Sequence, residues 1–425
     1  MNKYVKLLIL IAFIILAVCV QYHRKVIFND SEVEKIFKFT RNPNPQILNV
    51  EKIDVLPEFN PKSIEDYEID LIGKDLSNVN LDNRYDDLMY ARFNKDTRWS
   101  GKLPQGFNPL EIMENGKNPG LDTRDLHKQG VNGKGIGIAI IDSALLVNHI
   151  EYKDNLKYYE EINLRDYEAS YHGPLVASIA VGKTVGVAPD ADLYFIATES
   201  TDSDGKISYM NTAEAIDRVL EINKSLSERN KIRVISISNG WIEGQKGYTE
   251  ITAAINRAKE EEIFVISSML LGDYGYFFDG LGRNPANNPN NLSSYEPNIL
   301  YRDYYYTENN IYKFFENRAL SKFKLKREIT DILYVPMDSR TFASPFGEED
   351  YIFERRNGWS VCSPYLAGLY ALACQVYPNV TPNLFWETSL KTGDSITFTK
   401  NNKQITMERI INPKRLIESL KNYEK

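Results

Sequence analysis

Between residues 135 and 337 the apolar positions recur with two periods in turn, and that alternation sets the expected fold. Gly135-Ile-Gly-Ile-Ala-Ile-Ile-Asp142 is an apolar run closed by an acid, as expected of a strand buried on both faces. Tyr171–Ala180 opens with Tyr171-His172-Gly173-Pro174 and continues as a helix with small and apolar residues all round. Asp192–Ala197 and Ile232–Ser238 repeat the strand pattern. Between them, Tyr209–Leu226 places Met210, Ala213, Ile216 and Leu220 at helical spacing. Ile251, Ala254, Ile255 and Ala258 mark another helix, and Ile263–Ser268 another strand. Strands alternating with helices predict an α/β domain, with a mostly parallel central sheet and helices on both faces. Functional groups in such sheets gather at the carboxyl ends of the strands. Asp142 and Ser238–Gly240 both end strands and are expected on that edge.

Residues 272–330 break the alternation with Asn-Pro-Ala-Asn-Asn-Pro-Asn-Asn and many Tyr and Phe, among them Tyr304-Tyr305-Tyr306 and Phe314-Phe315. They read as an aromatic-rich insertion. It is either a lid near a cleft or a segment packing its own aromatics into a satellite cluster, and the second is preferred. Asp331–Met337 resumes as a strand. Asn357-Gly358 then signals a turn. The apolar run after it, with Leu366, Leu369, Tyr370 and Ala373 at helical spacing, predicts a buried helix with Ser360 on its first turn. Pro364 falls near the start, where a missing N–H costs least. Thr381–Lys391 and Pro413–Lys421 are expected to be surface helices. No internal repeat is evident.

Composition narrows the partners. Of 425 residues, 43% are hydrophobic and 26% charged, ordinary for a soluble globular chain. With 51 basic and 58 acidic side chains the net charge is −7, which gives no sign of nucleic-acid binding. Cys362 and Cys374 share one predicted helix and stand about 18 Å apart along it, too far to bridge. With Cys19 in the leader, an internal disulfide is not expected. No cysteine pair has zinc-ligand spacing and there are only four histidines, so a structural zinc site is not expected either.

The chain opens with an uninterrupted apolar stretch over residues 7–20, preceded by Lys3 and Lys6. Residues 1–25 read either as a signal peptide or as an uncleaved anchor with Lys6 and Arg24 at the two interfaces. Positive charge is similar on both sides and does not settle orientation; the expectation is an exported chain, secreted or membrane-anchored and extracytoplasmic. Residues 26–100 are polar, rich in Asp, Asn and Lys. The N-terminal extension or pro-segment is set at 26–114 and the main domain at 115–425, with the insertion at about 272–330.

A serine beside a helix start is usually a cap. The same position also exposes the hydroxyl beside free N–H groups that favour developing negative charge, which suits a nucleophile needing activation. Two other residues complete a set in chain order: Asp142, His172, Ser360. The glycines at 135 and 137 invite a dinucleotide-site reading, but that fingerprint follows a strand and these precede one. An α/β-hydrolase reading also fails, because Gly-Trp-Ser-Val-Cys lacks the second glycine of the nucleophile elbow and the acid precedes the serine.

Acid, histidine, serine is the order found in subtilisin, and five local motifs carry the resemblance. Ile141-Asp142-Ser143 with His149 downstream resembles the subtilase aspartate motif. His172-Gly173-x-x-Val176-Ala177 resembles the histidine motif, and Gly186-Val187-Ala188-Pro189-Asp190-Ala191 the loop that follows it. Ile235-Ser236-Ile237-Ser238-Asn239-Gly240 resembles the strand that pairs with substrate backbone. Gly358-Trp359-Ser360-x-x-Ser363-Pro364-x-x-Ala367-Gly368 resembles the serine motif. Together they cover roughly residues 115–400, and the chain is identified as similar to subtilisin-like serine proteases.

The resemblance implies a three-layer subtilisin-like fold and hydrolysis of peptide bonds in peptide or protein substrates through an acyl-enzyme. Asp142, His172 and Ser360 would be the triad, and Ser238, Asn239 and Gly240 would bind substrate. His149 matches a non-catalytic family position and is read as structural. His127 and His23 are read as solvated. Calcium is common in the family, but no acidic ligand cluster is clear enough to name, and no other cofactor is implied. Oligomeric state is not legible.

The departures bear on activity. Ala144 replaces the glycine of Asp-Ser/Thr-Gly, Leu175 the second histidine of His-Gly-Thr-His, and Trp359 the threonine of Gly-Thr-Ser. The family's oxyanion asparagine follows the strand at 263–268, where this chain offers Met269-Leu270-Leu271-Gly272-Asp273. Asp273 is the oxyanion candidate, with Leu271 the alternative alignment. Loss of that amide costs on the order of 10²–10³ in rate in subtilisin. A catalytically weak subtilase fold serving as a binding or regulatory protein is therefore the competing expectation.

Overall fold

The structure is a computed structural model that describes residues 39–60, 68–268, 276–298, 331–400 and 403–423. The expected parallel sheet is present. Its strands are β1 (Gly137–Asp142), β2 (Leu156–Ile162), β3 (Asp192–Thr198), β4 (Ile232–Ile237) and β5 (Phe264–Ser267), in the spatial order β2-β3-β1-β4-β5. All four pairings are parallel. Helix α1 (His172–Val181) follows β2, α2 (Met210–Ser225) follows β3, and α3 (Tyr248–Glu260) follows β4.

The central strand shows why the pattern is apolar throughout. Successive side chains point to opposite faces. Ile138 and Ile140 enter one core with Val176 and Ile179 of α1. Ala139 and Ile141 enter the other with Ile216 of α2 and Ile255 of α3. On α2 the stripe Ala213, Ile216 and Leu220 is buried, whereas Met210, counted with it in the sequence, is exposed. The long helix α4 (Cys362–Val376) closes the first core and is buried for most of its length. Its Gly368 has a packing reason: a Cβ there would lie 2.6 Å from Val187 Cβ.

A second, mixed sheet holds β6 (Phe278–Arg283), β7 (Tyr295–Pro297), β8 (Leu333–Pro336) and a C-terminal hairpin, β11 (Asp394–Lys400) with β12 (Lys403–Ile410). This corrects the reading of residues 272–330 as a satellite. Phe278, Leu281 and Tyr295 belong to the main core, and β6 runs parallel with β8. The remainder of that segment, with its Tyr304–Tyr306 run, lies outside the described residues. The C-terminal helices α5 (Pro382–Thr392) and α6 (Pro413–Lys421) are amphipathic. They bury Phe385, Trp386, Leu416, Ile417 and Leu420, and so cover core as well as surface.

The polar extension is tied into the main domain. Strand Ala91–Asn94 pairs antiparallel with β10 (Tyr351–Glu354), which pairs with β9 (Arg340–Ala343). Phe93 and Phe353 meet at 5.1 Å within a small core that also holds Leu71, Leu88 and Ile112. One sheet thus crosses the boundary set at residue 114. Residues 39–46 also lie against the main domain, with Thr40 N–H donating to the Tyr159 carbonyl at 3.1 Å and Ala169 N–H to Asn44 at 2.8 Å. Among the described residues no helix is long and apolar enough to cross a membrane. The apolar stretch 7–20 lies outside them.

Candidate active site

Asp142 is the last residue of β1 and His172 the first of α1. His172 Nδ1 lies 2.7 Å from Asp142 Oδ1. The aspartate side chain is 6% exposed and the imidazole 35%, so the carboxylate is sealed and the ring faces the cleft. The acid is further held by the Ser143 N–H at 2.8 Å and the Ser143 hydroxyl at 3.1 Å. Burial works against a charged imidazole, but the Asp142 charge and hydrogen bond outweigh it and hold His172 above its ordinary 6.5.

The turn before α1 is locked by Ser170. Its Oγ accepts from the Gly173 N–H at 2.9 Å, a cap on the first turn, and donates to the Ala144 carbonyl at 3.0 Å. Gly173 passes so close that a Cβ would meet the carbonyl oxygens of Ser143 and Ala144 at 2.6 Å. That contact explains why glycine follows the histidine. Ala144 has no positive φ, so its position needs no glycine.

Ser360 sits in a turn just before α4, one residue earlier than the Val361 N-cap, and not on the first helical turn as expected. The turn is closed by Val361 N–H to Gly358 at 3.0 Å and Cys362 N–H to Trp359 at 2.9 Å. Ser360 and Ser238 are joined twice. Ser238 Oγ donates to the Ser360 carbonyl at 2.9 Å, and Ser360 Oγ lies 3.4 Å from the Ser238 carbonyl. His172 bonds to Asp142 and has no hydrogen bond to Ser360. Among the described residues the Ser360 N–H has no acceptor.

A cleft of about 850 Å³ runs past this edge of the sheet. Asp142, His172, Ser200, Ser238 and Asn239 line it, as does Gln46 of the extension. Ser360 adjoins it through Ser238. Asn239 accepts from the Gly240 N–H at 2.8 Å, and the Gly240 carbonyl accepts from the Tyr209 hydroxyl at 2.7 Å. Ser238, Asn239 and Gly240 thus come to the same edge as the acid and the histidine. Asp273 lies outside the described residues.

His149 is buried, with Nε2 2.8 Å from the Asp350 carbonyl, in keeping with a structural role. His127 corrects its reading as solvated: it is half-buried and its Nε2 lies 2.8 Å from the Val187 carbonyl. His23 is outside the described residues. Cys362 and Cys374 are buried free thiols on α4. Among the described residues no three His, Cys, Asp or Glu side chains gather as a metal ion would require.

Two supports were not read from the sequence. Ser170, three residues before Gly173, had the spacing of a cap and could have been found. Asp279 could not: it is buried on β6, 80 residues from its partner Trp359, whose indole N–H it accepts at 2.8 Å. That bond fixes the residue preceding Ser360.

A family model described as the Subtilase family matches residues 133–407. Subtilisin-like protease PopC of Myxococcus xanthus (strain DK1622) is 24% identical over 275 residues, which is 60% of this chain and 54% of that protein. Subtilisin-like protease 2 of Arthroderma otae is 29% identical over 163 residues, 38% of this chain and 36% of that protein. The chain thus spans about half the length of the first relative and about a third of the second. The solved structure of the prenylagaramide maturation protease PagA is similar with a TM-score of 0.45 and 16% identity, over 70% of this chain and 98% of that one.

Proposed function

The chain belongs to the subtilase family, and from that premise we propose that it is a serine endopeptidase acting through Asp142, His172 and Ser360. The observation that carries the reading is the 2.7 Å contact of His172 Nδ1 with a sealed Asp142. It fixes the tautomer in which Nε2 is free to take a proton. In the proposed reaction Ser360 Oγ attacks the peptide carbonyl carbon and His172 Nε2 takes the hydroxyl proton. The Asp142 charge stabilises the imidazolium so formed. The Ser360 N–H, with no acceptor among the described residues, faces the developing oxyanion. His172 returns its proton to the leaving amine, leaving an acyl-enzyme that water cleaves by the same steps reversed. The backbone of Ser238–Gly240 pairs with the substrate chain. Since no hydrogen bond joins His172 to Ser360 at rest, substrate closes that gap, as is common in free enzymes.

A second reading keeps the fold as a binding or regulatory protein of low activity. What favours it is the sequence Met269–Asp273, which has no asparagine for the second oxyanion donor. An ionised Asp273 there would repel the oxyanion, whereas a protonated one could donate to it. A fluorophosphonate probe separates the two. The first reading expects wild-type protein to take the label and Ser360→Ala to take none. Wild-type protein that takes no label leaves only the second. The apolar stretch 7–20 supports export, with the extension 26–114 retained on the folded domain.

A further inference from the structure

A buried polar cluster beside His172 has no part in the chemistry above. Tyr171, the residue before the imidazole, donates its hydroxyl to Glu354 Oε1. Its ring packs edge-on against Phe342 with centroids 5.7 Å apart. Glu354 ends β10 and is buried. It pairs at 3.3 Å with Arg92 of the extension, which also holds Asp70 at 2.9 Å. Glu68 accepts from the Arg356 N–H at 2.6 Å. Asn357, three residues before Ser360, donates from Nδ2 to the Glu354 carbonyl at 3.2 Å. One residue therefore touches the start of the histidine helix, the approach to the serine and the extension.

We propose that Glu354 is a positioning residue for the reaction: its carboxylate pins Tyr171 and so the first turn of α1, and Arg92 of the extension keeps it charged. Its effect on rate rests on the function proposed above. Its effect on the imidazole does not. A buried carboxylate is costly unless it is paired and hydrogen-bonded, and here both an arginine and a phenol serve it. The titratable and charged groups around it are Arg92, Asp70, Tyr171, His172 and Glu68, and Glu68 in turn faces Asp338. Burial, then the Glu354 charge, pushes Glu68 well above the usual carboxylate range. Burial also raises Glu354, while Tyr171 and Arg92 act to lower it. Against that burial, the Arg92 ion pair and the Tyr171 hydroxyl support a charge on Glu354. It adds to that of Asp142 in favouring the protonated imidazole of His172.

The test uses the full chain with Tyr171→Phe and Glu354→Gln. His172 is titrated by NMR, its ring signal assigned with His172→Ala, and peptide hydrolysis is followed against pH. Tyr171→Phe removes the pin and leaves the charge. It should lower kcat by roughly tenfold with KM unchanged, within the 10²-fold that about 1 Å of misplacement can cost. Glu354→Gln keeps an acceptor for Tyr171 and removes the charge. The imidazole should then titrate at lower pH, and the acid limb of kcat/KM should move with it. An unshifted imidazole in Glu354→Gln together with an unchanged kcat in Tyr171→Phe overturns the proposal. Should Glu354→Gln not fold, kcat in Tyr171→Phe decides alone. Should wild-type protein hydrolyse nothing, the proposed function fails, and the imidazole titration alone decides whether Glu354 acts on His172.

Discussion

Gly173→Ala probes the site without touching a reacting atom. The added Cβ would stand 2.6 Å from two backbone oxygens, those of Ser143 and Ala144. Neither belongs to a flexible side chain, so the strain must move backbone, and the segments forced apart carry Asp142 and His172. Relief of several tenths of an ångström would stretch the 2.7 Å Asp142–His172 bond toward the outer limit of a hydrogen bond. Overpacking of this kind costs about 1–3 kcal/mol. In a folded unit this large each kcal/mol shifts Tm by about 2 °C, so Tm falls by a few degrees. Misplacement near 1 Å costs up to about 10² in rate. Gly101→Ala is the control, since nothing lies within 4 Å of its Cβ position. Thermal unfolding by circular dichroism reads the first effect and the rate of fluorophosphonate labelling the second. Gly173→Ala matching Gly101→Ala in both would refute the close-approach account of the motif.

Three further predictions follow the same geometry. Activity requires neutral His172, whose folded value lies above 6.5, so the acid limb of kcat/KM should fall above that pH. In Asp142→Asn it should move lower, with kcat reduced by about 10⁴ as in the serine protease triad; a limb that stays in place would exclude the pair. Because the fold raises this value, its contribution to stability is complete below about pH 6.5 and is lost as pH rises through the folded value. Urea midpoints measured across that range, with His172→Ala as reference, should show the difference shrinking upward. Cys362 and Cys374 are buried and burial raises their thiols, so Ellman's reagent should find at most Cys19 in native protein and Cys362 and Cys374 in addition in urea.

The parallel sheet was legible because its strands are buried on both faces, which leaves runs such as Ile138–Ile141 with one reading. The places of Asp142 and His172 were legible because each is set by local pattern, a strand end and a helix start. Strand β2 was missed: Leu156-Lys-Tyr-Tyr-Glu-Glu-Ile162 lies at the sheet edge, and its polar half faces Arg41 and Arg218. The hairpin β11–β12 was missed although Asn401-Asn402 separates two alternating runs, a pattern that signals a turn between strands. The extension was legible only as a choice between a linker, a loosely built pro-segment and a segment packed on the main domain. Its apolar residues are scattered through a polar sequence without a helical or strand period, and they meet as a core only when the segment folds back on itself and onto Phe353.

That distance has a consequence for how the molecule comes into being. Arg92 and Glu354 are 262 residues apart, and contacts closing so long a loop form late and slowly. The strand Ala91–Asn94 has an early partner only in Ile69–Asp70, and its other edge must wait until β10 has been synthesised. The loop bearing Ser360 follows directly from that strand, so the hydroxyl is set in place only after β9 and β10 have been made. Under the proposed function, a chain that stops short of β10 would lack both the pin on Tyr171 and the nucleophile, and competence would arrive in a single late step.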